Sequence, residues 1–372
     1  MEILEKMNPN KKHLLVIHPK FCIRAQKQVE CLISYSEYQI TIITNVKKYG
    51  KALTPKIKNN SNIISFSFHK NTLSRFLFRR FIRNLKNNID IIHCHNEPNY
   101  HVVDTYRVFG GVVPIVYDIH DFSSMRSGKP DLFEENAYKN SDAIIHVSDK
   151  FIDYGNNKYG VKNCHVIMSL PSKTMKLNPI KKKIEPPFHF VYQGGIIDSE
   201  FEKKDLFSYR NYLPIFKEIL SENHFVHLYS NSPMERLPNY QLLAKENKKF
   251  IIHEKLPYKQ LLEEINKYNF GIVGFNFTNN IENEKRLYLN AALGNKLFDY
   301  LFAGIPIVTI NADTMADFTL NNKCGFVKNK EKSWTETVME NNINVDFNYI
   351  TNKYCMENQA DKIISIYQQL IK

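Results

Sequence analysis

No stretch of this chain approaches the run of about 18 apolar residues that a membrane-spanning helix needs. The first residues also lack the apolar core of a secretion signal, which points to a cytoplasmic protein. Cysteines 22, 31, 94, 164, 324 and 355 form no Cys-x-x-Cys pair and no zinc spacing. They read as reduced, mostly buried thiols rather than a disulfide framework or a metal cage. No self-similarity with a period of about 20–50 residues is apparent, which excludes solenoids and propellers. Acidic residues are scarce in the first quarter: residues 1–90 hold 5 Asp/Glu against 17 Lys/Arg, while the remainder holds 33 of each. The whole net charge of +12 therefore belongs to that quarter. Such an imbalance favours an anionic partner there: lipid head groups, a pyrophosphate-bearing acceptor or nucleic acid.

What is present is enough for large cores. With 372 residues, 43% of them hydrophobic, two domains are expected. Residues 13–18, 39–44 and 62–68 read as strands, with a helix over 24–35 after the first. Strands alternating with helices predict an α/β fold with parallel, doubly wound sheets. His18-Pro19-Lys20-Phe21 lies at the carboxyl end of the first strand, where such folds bind ligands. Arg24 and Lys27 stand behind it, forming either a cationic acceptor side or a basic surface turn. Residues 73–86 are the clearest amphipathic helix. Leu73, Leu77, Phe78, Phe81, Ile82 and Leu85 share one half; Arg75, Arg79, Arg80, Arg83 and Lys86 share the other, with Phe76 among them. That helix either covers a sheet with a solvated basic face or lies on anionic lipid.

Two apolar strands end in titratable groups, at Asp90–Glu97 and Ile115–Ser123. His93 and His95 are read as facing opposite sides of their strand, which argues against a shared metal ion. Pro and Lys without periodicity over 173–187 mark a linker. Beyond it, Phe188–Ile196 is a strand running into Gly194-Gly195, where backbone can approach a phosphate closely. Arg210 is the nearest candidate cation for a diphosphate, with Lys203 and Lys204 before it. Residues 276–289 read as a polar loop.

The central stretch is 290–310. Leu297, Leu301 and Phe302 give one apolar helix face, Ala303-Gly304 end it, and Ile305–Ile310 is a buried strand. The free N–H groups at the helix start suit an anion, and Asn295 and Lys296 stand there. Asp299, one turn on, suits a sugar diol.

Gly294-Asn-Lys-Leu-Phe-Asp-Tyr-Leu-Phe-Ala-Gly-Ile-Pro306 resembles the donor-site helix of retaining GT-B glycosyltransferases of the family-4-like, group 1 type. Tyr117-Asp-Ile-His-Asp121 resembles the floor of their active site, and the resemblance runs over most of 13–330. It implies two Rossmann-like domains facing across a cleft: 1–172 for acceptor, 188–355 for donor. The segment 356–372 would be a helix packed back on the first domain. It implies that Asn295, Lys296 and the amide of Leu297 hold the donor diphosphate, helped by Gly194, Gly195 and Arg210. Asp299 would bind the ribose, and backbone at Lys255-Leu256 the base. His120 would face the transferred sugar as the catalytic residue, with Asp118 or Asp121 holding its ring. Arg24, Arg79 and Arg83 would lie on the acceptor or membrane side. A second acid common in relatives is replaced here by Ala291, which leaves that sugar contact without its usual partner.

The implied activity is metal-independent and cofactor-free transfer, with retention, from a nucleotide-diphosphate sugar, UDP ahead of GDP. The acceptor would be a growing cell-surface glycan, free or lipid-linked, such as capsule, O-antigen or lipooligosaccharide. The protein would sit peripherally on the inner face of the membrane and bind no nucleic acid. The competing readings are a basic membrane- or nucleic-acid-binding module with a silent donor site, and a GT-B sugar-nucleotide epimerase. The second would need paired acid/base carboxylates.

Overall fold

The structure, a computed structural model, describes residues 10–199, 207–277 and 283–371. The chain forms two compact units: one runs to Ser169 and is completed by the segment from Met356, and the other is Leu170–Cys355.

The first unit is built on β1 (His13–Ile17), β2 (Gln39–Thr44), β3 (Ser61–Ser65), β4 (Ile91–His95), β5 (Ile115–Asp118), β6 (Ala143–His146) and β7 (Cys164–Val166). They pair in the order β3-β2-β1-β4-β5-β6-β7, all parallel. Every residue of β1, β4, β5 and β6 is buried, as expected of strands covered on both faces by helices. The strand order reverses between β1 and β4, so the carboxyl ends of these strands open a crevice at the switch point. His18, His95 and Asp118 stand at that end. The C-terminal helix Met356–Leu370 packs beside the Ile23–Tyr35 helix of the same unit. Its Tyr367 hydroxyl meets His93 Nδ1 at 2.5 Å, and Gln359 accepts from the Met168 amide at 3.0 Å.

The second unit carries β8 (His189–Gly194), β9 (Phe225–Ser230), β10 (Phe250–His253), β11 (Phe270–Gly274), β12 (Ile307–Ile310) and β13 (Gly325–Val327). Their order is β10-β9-β8-β11-β12-β13, again all parallel. Its core is aromatic: Phe188, Phe190, Phe270, Phe326 and Trp334 pack on the face of β8 and β11. The order reverses between β8 and β11, which puts Gly194-Gly195 at the second switch point.

Three expectations change. The amphipathic helix is Thr72–Arg83, and Lys86–Asn88 forms a separate single turn. Its core contacts come from Phe78 and Ile82, followed by Leu85, whereas Leu73 and Leu77 are 68% and 48% exposed. The basic side is not uniformly solvated. Arg75 and Arg79 both bond the fully buried carboxylate of Asp104, at 2.8 Å and 2.6 Å. Asp104 lies on the neighbouring Tyr100–Phe109 helix, and a buried charge requires such partners. Finally, the presumed loop over 276–289 contains the start of a helix, Asn283–Ala291, while 278–282 lie outside the described residues.

Candidate functional site

In the second unit, the helix Asn295–Phe302 follows a Gly294 that offers no side-chain cap. Leu297, Leu301 and Phe302 are fully buried and fix its axis on the sheet. Gly304 ends it at φ +76°, and a Cβ there would stand 2.8 Å from Pro179. The helix start meets the end of β8. Gly194 adopts φ +126°, and a Cβ on it would lie 3.6 Å from Lys296 Nζ. A Cβ on Gly195 would lie 3.9 Å from Arg210 Nη1. The structure thus brings Gly194, Gly195, Arg210 and Lys296 together. Among the described residues no ion pair engages either cation. Lys296 instead donates to the Tyr192 hydroxyl at 2.6 Å, with Nζ 3.8 Å from the centre of that ring. Withdrawal from water and, second, the Arg210 charge push its ammonium down to about 7, against a pull from Asp299. A lysine and an arginine side by side at a helix N-terminus are chemistry that suits an anion. Asn295 opens the helix. The amide of Leu297 donates to the Gly294 carbonyl at 3.2 Å, so it is engaged in the helix's first turn. Lys203 and Lys204 lie outside the described residues.

Asp299 is 8% exposed. Its Oδ2 accepts from Gln193 Nε2 at 2.9 Å and its Oδ1 from the Tyr258 hydroxyl at 2.5 Å. These two donors orient the carboxylate, one on each oxygen. Leu256 sits two residues before Tyr258, in the loop between β10 and the Tyr258–Ile265 helix. Sequence reasoning missed Tyr192, Gln193 and Tyr258. Tyr192 and Gln193 lay in the quoted strand, two residues and one residue before its glycines.

In the first unit, β4 and β5 bring His93, His95, Asp118 and His120 together. Asp118 is wholly buried and anchored by Arg24 Nε at 3.0 Å and Gln28 Nε2 at 2.8 Å. Despite burial, the Arg24 charge holds its carboxyl well below the usual range. Arg24 is 3% exposed and its charge is spent on Asp118, so it supplies no cationic acceptor surface. His93 and His95 stack at 4.4 Å with planes 9° apart. Residues two apart on a strand share a face, which corrects the expectation that they point apart. His95 Nδ1 is 3.0 Å from His120 Nε2, and Asp118 Oδ1 is 3.8 Å from the same His120 nitrogen. Burial above all pushes the His120 imidazole down to about 3, so it is neutral near pH 7. Asp121 Oδ2 lies 3.8 Å from Arg126 Nη1. Arg79 is bound to Asp104, and Arg83 is exposed on its helix.

Residues 36–168 match the family profile described as Glycosyltransferase Family 4. A search by sequence against curated proteins finds no match. Among solved structures, a glycosyltransferase from Rickettsia africae superposes with a TM-score of 0.68 at 15% identity, covering 98% of this chain and 99% of its own. Anabaena HepE in complex with UDP and glucose gives a TM-score of 0.65 at 11% identity, covering 96% and 99%. The lipopolysaccharide outer core galactosyltransferase WaaB gives 0.64 at 12% identity, covering 96% and 100%. Two parallel Rossmann-like sheets with this coverage define the GT-B fold.

Proposed function

We propose that the protein is a glycosyltransferase that uses a nucleotide-diphosphate sugar, UDP-linked ahead of GDP-linked. The observation that carries this reading is the convergence of Lys296, Arg210 and the Gly194-Gly195 turn on one helix N-terminus, with Asp299 one turn further along. The match of residues 36–168 to Glycosyltransferase Family 4 and the UDP bound by HepE support it. Lys296, Arg210 and the helix amides neutralise the leaving diphosphate, the task a divalent ion performs elsewhere. Asp299 receives the ribose hydroxyls. Transfer proceeds with retention, by attack on the face the diphosphate leaves, and the departing phosphate takes the acceptor proton. Neutral His120, its ring held by His95, hydrogen-bonds the sugar. Incubation with a panel of nucleotide sugars tests this. Release of nucleoside diphosphate from one donor is expected. His120→Ala should lower that turnover with diphosphate affinity retained. No release and no thermal stabilisation with any donor would favour a silent binding module.

The acceptor is a cell-surface glycan extended at an anionic membrane. Among the described residues no helix is long and apolar enough to cross a membrane. Instead Leu73, Phe76 and Leu77 are exposed on one side of the Thr72–Arg83 helix, continuing into exposed Arg80 and Arg83. Apolar insertion next to basic residues supports peripheral binding to anionic lipid.

A further inference from the structure

We propose that His18, Cys22 and His120 form a three-ligand site for Zn²⁺, with the fourth position open to water. The three come from the carboxyl ends of β1 and β5, and each offers one donor atom within 4.8 Å of the others. Cys22 Sγ is 3.7 Å from His120 Nδ1. Sulfur and nitrogen ligands on a tetrahedral zinc ion stand about 3.6 Å apart, from metal bonds of about 2.3 and 2.05 Å. His18 is the independent observation. It is 2% exposed, and neither of its ring nitrogens has a hydrogen-bond partner. Buried polar groups are seldom left so unless a ligand completes them.

The surroundings suit the ion. Burial keeps the His18 and His120 imidazoles neutral, so their lone pairs are available. His120 Nε2 is held by His95 at 3.0 Å, which leaves Nδ1 toward Cys22, the outer-shell orientation common at metal-bound histidines. Asp118 lies 3.8 Å from the same ring and offsets positive charge, while Arg24, its ion-pair partner, opposes this. Cys22 and His120 are only partly buried, which gives the ion access. A soft thiolate with two imidazoles selects zinc over magnesium or calcium. Burial raises the Cys22 thiol, so binding forms the Zn–S bond and releases the thiol proton to water. The neighbouring trio His93, His95 and Asp118 is less suited: it is wholly buried, Tyr367 holds His93, and Arg24 and Gln28 hold Asp118.

Zinc would occupy His120 Nδ1 and so oppose turnover. That consequence rests on the role proposed for His120; the site itself does not. Cobalt tests the site without any activity assay. Reduced, metal-free full-length protein titrated with Co²⁺ should develop a thiolate-to-cobalt charge-transfer band that saturates at one equivalent and is bleached by Zn²⁺. Cys22→Ser should abolish the band, and Cys164→Ser should keep it. His18→Ala should weaken Co²⁺ binding about tenfold or more while its melting curve shows a folded chain. A missing band, a band surviving in Cys22→Ser, or unchanged affinity in His18→Ala would each overturn the proposal. Should Cys22→Ser fail to fold, the His18→Ala titration decides alone.

Discussion

The Lys296 ammonium rests 3.8 Å from the centre of the Tyr192 ring, and it donates to that residue's hydroxyl at 2.6 Å. With Arg210 also nearby, the pair is held in a state that favours losing the lysine proton, near pH 7. A bound diphosphate reverses that preference, because an adjacent anion stabilises the charged form. Binding of UDP at pH 8 should therefore take up protons, and affinity should fall as pH rises above 7. Calorimetry in two buffers of different ionisation enthalpy measures the uptake. Zero proton exchange at pH 8 would mean that the diphosphate does not contact Lys296.

Asp299 is oriented by Gln193 and Tyr258, each on a different oxygen. Asp299→Asn converts one acceptor into a donor. The preference for UDP over 2′-deoxy-UDP should shrink by about 1.5–3 kcal/mol, the worth of a hydrogen bond to a charged group. Binding isotherms for the two nucleotides give the difference directly. A variant that keeps the parent's preference would remove Asp299 from the ribose.

The arginines of the Thr72–Arg83 helix should separate into two classes. Replacing Arg75 and Arg79 together by methionine leaves Asp104 buried without its partners, at a cost of about 3–5 kcal/mol. Replacing Arg80 and Arg83 by serine should change stability by about 0.5 kcal/mol or less, yet reduce sedimentation with anionic vesicles. Leu73/Phe76/Leu77→Ser should reduce it further. Denaturant melts and vesicle sedimentation check both halves. Unchanged vesicle binding in both surface variants would leave the helix as scaffold.

Acid should unfold the protein through its histidines. Burial lowers His101 to about 4, and His120, His146 and His227 to about 3. Unfolded, each returns to 6.5. Their contribution is complete above pH 6.5 and is lost as pH falls toward the folded values. Each costs up to about 1.4 kcal/mol per pH unit in that window. Chemical denaturation at pH 7, 6 and 5 should show stability dropping steeply; a flat profile would contradict the burial of these rings.

The donor helix was legible because its signals are local. Apolar spacing, a Gly-Ile-Pro turn and a cation at the helix start all fall within 294–308. What surrounds it was not, since Tyr192 and Gln193 reach Lys296 and Asp299 across roughly a hundred residues of chain, through the sheet. Arg24 and Arg79 were misread for the same reason. A helical wheel shows a basic face but not Asp118 or Asp104, which sit on other elements and bury those charges. The three-residue β13 has no periodicity to detect. The His18–Cys22–His120 trio escaped because its ligands come from two separate strand ends rather than from a Cys-x-x-Cys spacing.

The most direct test of the central claim compares UDP with uridine on the parent protein and on Lys296→Ala. A charge-assisted phosphate contact worth about 1.5–3 kcal/mol corresponds to about 10- to 150-fold in affinity. The parent should bind UDP far more tightly than uridine, and Lys296→Ala should lose that factor for UDP while binding uridine as before. Equal affinity of the parent for UDP and uridine, or equal loss of both in the variant, would contradict a diphosphate site at the start of the Asn295–Phe302 helix.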